Sequence, residues 1–320
     1  MTNQEYEMRI LMLGAGGIGG YFGARIHCSG GDVTFLVRPA RANYLLENGL
    51  HVFSPLGDMH ITPKFITSAQ DSATGKFDAA VLSCKAYDLH TAIDSVVPAL
   101  APQGIVIPLL NGFAHLALLD AKFGRERVLG GLAHLGVTLT PEGEIQHLNE
   151  LHGLVIGGRS EPASPLVDAL AKVLARSGID FSLSDNIESE MWDKFVFLAT
   201  LAGATCTLRA SVGEILQTHS GEEFILGLLD ECSAIAKKHG HIPSQERLSL
   251  YRTQLTMQGS TSTASMLRDI ERKGPTEADH ILGDMIRRAH TQDVDVPLLK
   301  IACSILQAYE IRSNRERSND

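Results

Sequence analysis

The chain has 320 residues, 44% of them hydrophobic, and a formal charge of −9, enough for one large domain or two ordinary ones with full cores. The acidic balance argues against nucleic acid as a partner, and no apolar run approaches the length of a membrane span. Five scattered cysteines (Cys28, Cys84, Cys206, Cys232, Cys303) with no C-x-x-C spacing point to reduced thiols in a cytoplasmic protein.

Before Ile10 stand Glu5 and Glu7 and no apolar signal core, so secretion is not expected. Met8 to Arg38 reads MRILMLGAGGIGGYFGARIHCSGGDVTFLVR. Ile10 to Leu13 is an apolar strand pattern, and Gly14, Gly16 and Gly19 follow with G-x-G-x-x-G spacing. Ile18, Phe22 and Ile26 then share one helix face, and Val33 to Val37 forms a second strand pattern ending at Arg38. Strand, glycine turn, helix and strand make the first half of a dinucleotide-binding fold. Gly14 permits the tight turn, Gly16 lets the backbone approach a pyrophosphate, and Gly19 lets the helix lie close on the sheet. Ala15, Gly17 and Ile18 complete a loop whose N–H groups and helix dipole receive phosphate. Arg38 stands where enzymes that use NAD usually carry an acid for the ribose 2′-hydroxyl. A guanidinium there suits a 2′-phosphate instead, with Arg41 in support, so NADPH is the expected cofactor.

Onward the pattern stays α/β. Ala42 to Asn48 reads as a helix and Leu50 to Phe53 as a strand. His60 to Thr67 is a further strand or part of a hairpin, and Ala79 to Ser83 is a buried parallel strand. Thr91 to Leu100 is a helix stopped by Pro102; Ile105 to Leu110 is a strand, and Ala114 to Phe123 a helix. Val128 to Thr138, Glu144 to His147, Leu154 to Ile156 and Phe181 to Leu183 read as strands. Leu166, Leu170, Val173 and Leu174 mark a helix before the last of these. Beyond Ser184 only helices are predicted: Glu188 to Leu208, Gly221 to His239, Ser244 to Met257, Glu277 to Ala289 and Pro297 to Ile311. Arg312, Arg315 and Arg317 read as a solvated C-terminus. Mixed elements followed by helices alone predict two domains: a Rossmann-type dinucleotide-binding domain over 1–184 and a helical substrate domain over 185–320.

Lys85 directly follows one buried strand and Asn111 the next. Ligands of open parallel sheets lie at the carboxyl ends of strands, which points both residues toward the cofactor. Lys194 is the one lysine of a largely apolar helix pattern, SEMWDKFVFLATLAGATCTL. Such a lysine either has a chemical task or a partner, or lies on an exposed face with its stem along the surface. Ser265 precedes a helix pattern, as an N-cap would. Glu277 falls in the first turn of another, where an acid also simply complements the dipole. The residues alone leave both undecided. The 13 histidines form no H-x-x-x-H or H-E-x-x-H pair, which gives no support to a metal centre.

GAGGIGG, the arginine ending the second strand, LSCKA, LLNG, WDKF and SMLRDIERKGPTE together resemble the ketopantoate reductase (2-dehydropantoate 2-reductase) family over almost the whole chain. The resemblance implies a C-terminal domain like that of 6-phosphogluconate dehydrogenase, and reduction of ketopantoate to pantoate in pantothenate biosynthesis or of a related 2-oxo acid. It implies a small-molecule substrate and a monomer or homodimer. By it, Gly14 to Gly19 and Arg38 hold NADPH. Lys85 and Asn111 line the site near nicotinamide and substrate. Lys194 is the general acid, Ser265 contacts substrate, and Glu277 binds near the nicotinamide ribose and the active lysine. The family's asparagines four and eight residues after the lysine, and near the start of the next helix, are here Leu198, Ala202 and Val212. None offers a side-chain hydrogen bond, so a more apolar 2-oxo acid or another carbonyl compound is expected as substrate. Two rivals are a non-catalytic NADPH-binding redox sensor and a different hydroxyacid or opine-type dehydrogenase.

Overall fold

A computed structural model of the chain describes residues 8–69, 75–160 and 164–317; Glu5 and Glu7 lie outside them. The chain forms two compact units. One takes the chain up to Leu110 with His115–Glu188; the other takes Asn111–Ala114 with the chain from Ser189 onward.

The first unit opens with β1 (Arg9–Leu13), α1 (Gly17–Cys28), β2 (Asp32–Leu36) and α2 (Pro39–Asn48). Then come β3 (Leu50–Phe53), β4 (Met59–Ile61), β5 (Lys64–Ile66), β6 (Phe77–Leu82), α3 (Leu89–Val96) and β7 (Leu100–Pro108). Five of these strands form a parallel sheet in the order β5-β2-β1-β6-β7. Its strands are unbroken apolar runs because both faces are covered; Ile10, Leu11, Met12, Ala79 and Ala80 have no accessible surface. The chain builds outward from β1 to β5, then returns to build outward on the other side from β6. Ligands of open α/β sheets bind at such a reversal, outside the carboxyl ends of the strands.

Pro98, not Pro102, ends α3, and Leu100 already begins β7. The last bond of α3 runs from Val97 N–H to the Ile93 carbonyl, and Pro98 has no N–H with which to continue. The stretch His60 to Thr67 divides: β4 pairs antiparallel with β3, while β5 crosses to the other sheet beside β2.

α4 (Ala114–Phe123), β8 (Gly130–Leu139), β9 (Ile145–Gly157), α5 (Pro165–Ala175) and β10 (Asp180–Leu183) follow. β9 is one strand of 13 residues, not two short ones. Leu148–Leu151 is exposed, which breaks the apolar pattern while the ladder with β8 runs on through a register shift between Leu135 and Val137. β9 also pairs in parallel with β3 at its start and with β10 at its end.

The remaining elements are α6 (Ile187–Leu208), α7 (Val212–Ile215), α8 (Gly221–Lys238), α9 (Gln245–Leu255) and α10 (Ser265–Glu271). A π-turn (Asp279–Gly283) leads into α11 (Asp284–Thr291), and α12 (Pro297–Arg317) ends the chain's described part. No strand follows β10 among the described residues, and none of these helices is long and apolar enough to cross a membrane. The core of this unit includes Val196 and Ala199 of α6, Leu228, Leu229 and Ile235 of α8, and Leu299 and Ala302 of α12. α7 and α10 are too short to show a helical period in the sequence. α7 is nonetheless announced by a capping box, in which Ser211 caps the Glu214 N–H and Glu214 returns to the Ser211 N–H. Where the sequence predicts a regular helix from Glu277, the chain widens into the π-turn. A Cβ at Gly283 would overlap the Asp279 carboxylate, so the extra residue is accommodated over a bare backbone position.

Candidate active site

Gly14 turns with φ +92, and its N–H donates to the Leu36 carbonyl (2.9 Å), tying the glycine loop to the end of β2. At Gly19 an added Cβ would meet Ser83 Oγ and lie 2.5 Å from the Gly14 carbonyl oxygen, so α1 sits too close to the loop and to β6 for any side chain. At Gly16 an added Cβ would meet nothing within 4 Å. The spacing therefore serves two purposes: Gly19 allows packing, and Gly16 keeps space open. α1 starts with no side-chain cap and no acid in its first turn, which leaves its N–H groups and positive dipole end for an anion. Beside it, at the carboxyl ends of the strands, is a cleft of about 400 Å³ lined in part by Gly14, Ala15, Gly16, Arg38, Arg41 and Ser83. The glycine cradle, the free helix end and two arginines fit a dinucleotide with its phosphates on the loop.

The two arginines differ. Arg38 leaves its side chain 74% exposed and pairs with Asp88 at 2.8 Å. An exposed pair of this kind is worth no more than about 1 kcal/mol, so an incoming phosphate competes for the guanidinium readily. Arg41 is half-buried. Its Nε donates to the Ala15 carbonyl (3.1 Å) and its Nη1 to the Gly143 carbonyl (2.6 Å), while the guanidinium lies 4.7 Å from the centre of the Tyr44 ring. Burial lowers its pKa, yet a guanidinium stays charged. Holding the Ala15 carbonyl fixes the plane of the Ala15–Gly16 peptide, and a trans peptide then points the Gly16 N–H the opposite way. Ser83 Oγ donates to the Leu13 carbonyl (2.8 Å) and closes the loop from the β6 side. Asp88 and Ser83 escape the sequence reading, because nothing in their local sequence announces either contact.

Lys85 immediately precedes a single 3₁₀ turn, Ala86–Asp88. Its neighbour Cys84 lines the cleft, and Lys85 is not among the lining residues.

The second unit gathers the other candidates. The Asn111 carbonyl accepts from His280 Nε2 (3.0 Å). Gly112 turns with φ +78, and a Cβ there would lie 3.2 Å from the Phe195 ring and 3.6 Å from the His280 carbonyl oxygen. Phe113 sits with its ring centre 5.0 Å from that of Trp192 and 5.7 Å from that of Phe195. The segment bearing Asn111 is thus packed against α6 at the residue after Lys194 and against the π-turn three residues after Glu277. Glu277 is 8% exposed, and its carbonyl accepts the Ile281 N–H (2.9 Å), which puts it at the helix entrance. Burial holds the His280 pKa below its ordinary value, against the opposing charge of Glu277.

Lys194 keeps some accessible surface, but its ammonium is deep enough that burial pulls its pKa down to about 8. An amine so tuned holds its proton at neutral pH and releases it readily, the requirement for a general acid. Ser265 is the first residue of α10, and the cap position belongs to Ala264, which corrects the N-cap reading. The Ala264 N–H donates to Thr205 Oγ1 (3.2 Å), fastening the start of α10 to α6 about three turns beyond Lys194 and on the same face. Leu198 is partly buried, and Ala202 and Val212 are fully buried. All five cysteines are thiols.

Comparison with known proteins gives the family. The ketopantoate reductase PanE/ApbA model matches residues 10–161, and the ketopantoate reductase PanE/ApbA C-terminal model matches residues 186–310. The chain is 35% identical to the uncharacterized oxidoreductase YkpB of Bacillus subtilis, over 95% of this chain and 99% of that one. It is 27% identical to the 2-dehydropantoate 2-reductase of Archaeoglobus fulgidus, over 94% and 98% of the two chains. The crystal structure of 2-dehydropantoate 2-reductase from Methylococcus capsulatus superposes with a TM-score of 0.83 at 27% identity, covering 96% of this chain and 98% of that one. With a parallel-sheet dinucleotide fold, a helical second unit and both family models matched along its length, the chain belongs to the ketopantoate reductase family of oxidoreductases, which bind a nicotinamide dinucleotide.

Proposed function

We propose that this protein reduces a 2-oxo acid to the 2-hydroxy acid with NADPH. The observation that carries the reading is Lys194, the one lysine of an apolar helix, with its pKa lowered to about 8 by burial. The reduced nicotinamide, when bound, supplies a hydride to the substrate carbonyl carbon. Lys194 acts at the oxygen: its ammonium stabilises the charge that develops there and hands over a proton. Asn111 and Glu277 keep lysine and substrate in line, and Lys85 or Ser265 meets the substrate carboxylate. Gly14 to Gly19 receive the pyrophosphate. Arg38 exchanges Asp88 for the 2′-phosphate, which favours NADPH over NADH. Leu198, Ala202 and Val212 offer no partner to a substrate hydroxyl, and a buried hydroxyl without one costs about 1–3 kcal/mol. That favours a 2-oxo acid with a plain alkyl or aryl side chain over ketopantoate.

The test is NADPH oxidation measured against ketopantoate and a series of alkyl and aryl 2-oxo acids. Turnover is expected with at least one, and a higher kcat/KM for alkyl or aryl acids than for ketopantoate. A protein that binds NADPH tightly and oxidises it with none of them would be a binding protein and not a reductase.

A further inference from the structure

We propose that His280 is a positioning residue of the reaction: by holding the main chain of Asn111 it sets the direction in which the Asn111 side chain meets the substrate. The proposal rests on the reading of Asn111 given above, as a residue that keeps lysine and substrate in line. His280 Nε2 lies 3.0 Å from the Asn111 carbonyl oxygen. A carbonyl oxygen only accepts, so Nε2 carries a proton in this contact. Burial and Arg287 favour the neutral ring, while Glu277, Asp284 and the Asn111 carbonyl favour the charged one. The Nε2 proton is present in both forms, so the tie does not require the ring to titrate.

The packing around the turn leaves this hydrogen bond a task. Gly112 has φ +78, and a Cβ there would lie 3.2 Å from the Phe195 ring, so the chain passes that ring as bare backbone. Phe113 packs on Trp192 and Phe195, with ring centres 5.0 Å and 5.7 Å away. Apolar contacts of this kind fill space and have no direction. They do not choose which way the Asn111–Gly112 peptide faces. A hydrogen bond to its carbonyl does, and fixing that peptide plane narrows the direction of the Asn111 Cα–Cβ bond.

The π-turn explains how His280 comes to be there. Asp279–Gly283 takes up one residue more than a regular turn, which rotates the chain after it by about 100° relative to the chain before it. The face bearing Glu277 and His280 is thereby set apart from the face by which α11 buries Met285 and Ala289. Arg287 holds the turn: its Nη1 reaches the Asp279 carboxylate (3.2 Å) and its Nη2 donates to the Asp279 carbonyl (3.0 Å). On the other side the Thr276 N–H donates to Glu310 of α12 (2.9 Å), and the Ala278 N–H to Thr276 Oγ1 (3.2 Å). Glu277 and His280 stand three residues apart, on one helix face. One turn thus carries both the acid of the site and the group that orients Asn111.

The test compares His280→Phe, which keeps a ring and removes the donor, with His280→Gln, whose amide nitrogen can take the place of Nε2. Turnover is measured with NADPH and each of ketopantoate, 2-oxoisovalerate and phenylpyruvate. Hydrogen exchange of the Asn111–Ala114 backbone is followed by mass spectrometry in the same proteins. His280→Phe should lower kcat about 5- to 100-fold with the dissociation constant for NADPH unchanged, and should speed exchange at Asn111–Ala114 while α8 exchanges as in the wild type. His280→Gln should restore both kcat and exchange. Wild-type kcat in His280→Phe, a loss that follows NADPH binding, or a His280→Gln as slow as His280→Phe would each overturn the proposal. A wild type that turns over none of the three acids would count against the reductase reading itself. Exchange then decides the tie: faster at Asn111–Ala114 in His280→Phe and restored in His280→Gln supports it, and exchange unchanged in His280→Phe overturns it.

Discussion

Gly14, Gly16 and Gly19 shape their cleft with bare backbone, positive helix charge and space, and the arginines around it are exposed or tied to main-chain carbonyls. Lys194 is shaped the other way. It is a charged side chain held among apolar helices, and its chemistry comes from what surrounds it. The cleft beside the glycine loop is thus made largely of backbone, with Arg38 at its rim. A buried side chain is tuned by its surroundings, so the proton affinity of Lys194 comes from the packing around it.

The difference is sharpest where one end is removed and the other is read. Lys194→Ala should lower kcat by about 10²- to 10⁴-fold while the dissociation constant for NADPH, measured by titration, stays at the wild-type value. Loss of binding in step with turnover would show the two ends to be one structure. At the other end, Arg38→Asp should weaken NADPH by about 10- to 150-fold, the span of one to two charge-assisted hydrogen bonds, and leave NADH much less affected. Equal weakening of both would remove the phosphate role.

Two glycine changes separate packing from space within the first unit. Gly19→Ala must push its methyl into Ser83 Oγ and the Gly14 carbonyl and should cost about 1–3 kcal/mol of stability. Gly16→Ala has nothing to strike and should melt near the wild type while binding either dinucleotide poorly. Thermal midpoints set beside titrations decide both.

Lys194 also sets how stability depends on pH. With Lys194 at about 8 in the folded chain and 10.5 as its ordinary value, the unfolded chain binds the extra proton between those values. Stability should therefore rise as pH climbs from about 8 toward 10.5. Lys194→Met should abolish that rise and, at pH 7, stabilise the fold by on the order of 1–3 kcal/mol. Urea melts at several pH values measure both.

The glycine loop and its sheet are legible in the sequence because their physics is local: a spacing of glycines, two apolar runs and an arginine at a strand end. The helical texture of the second unit is legible for the same reason. What escapes is non-local. The Arg38–Asp88 pair joins the residue before α2 to the 3₁₀ turn after β6, and Arg41 reaches Gly143 across 102 positions of chain. β9 hides its continuity behind an exposed stretch, and the π-turn hides because Gly283 looks like any helical glycine. Lys194 can be singled out from its apolar helix pattern, but its lowered pKa cannot, since that comes from the burial which packing provides.

The pH profile of kcat tests the role of Lys194 most directly. With the lysine as proton donor, kcat should be level below pH 8 and fall tenfold for each further unit above it, as the ammonium is lost. A kcat that holds level to pH 10 with Lys194 in place would contradict that role.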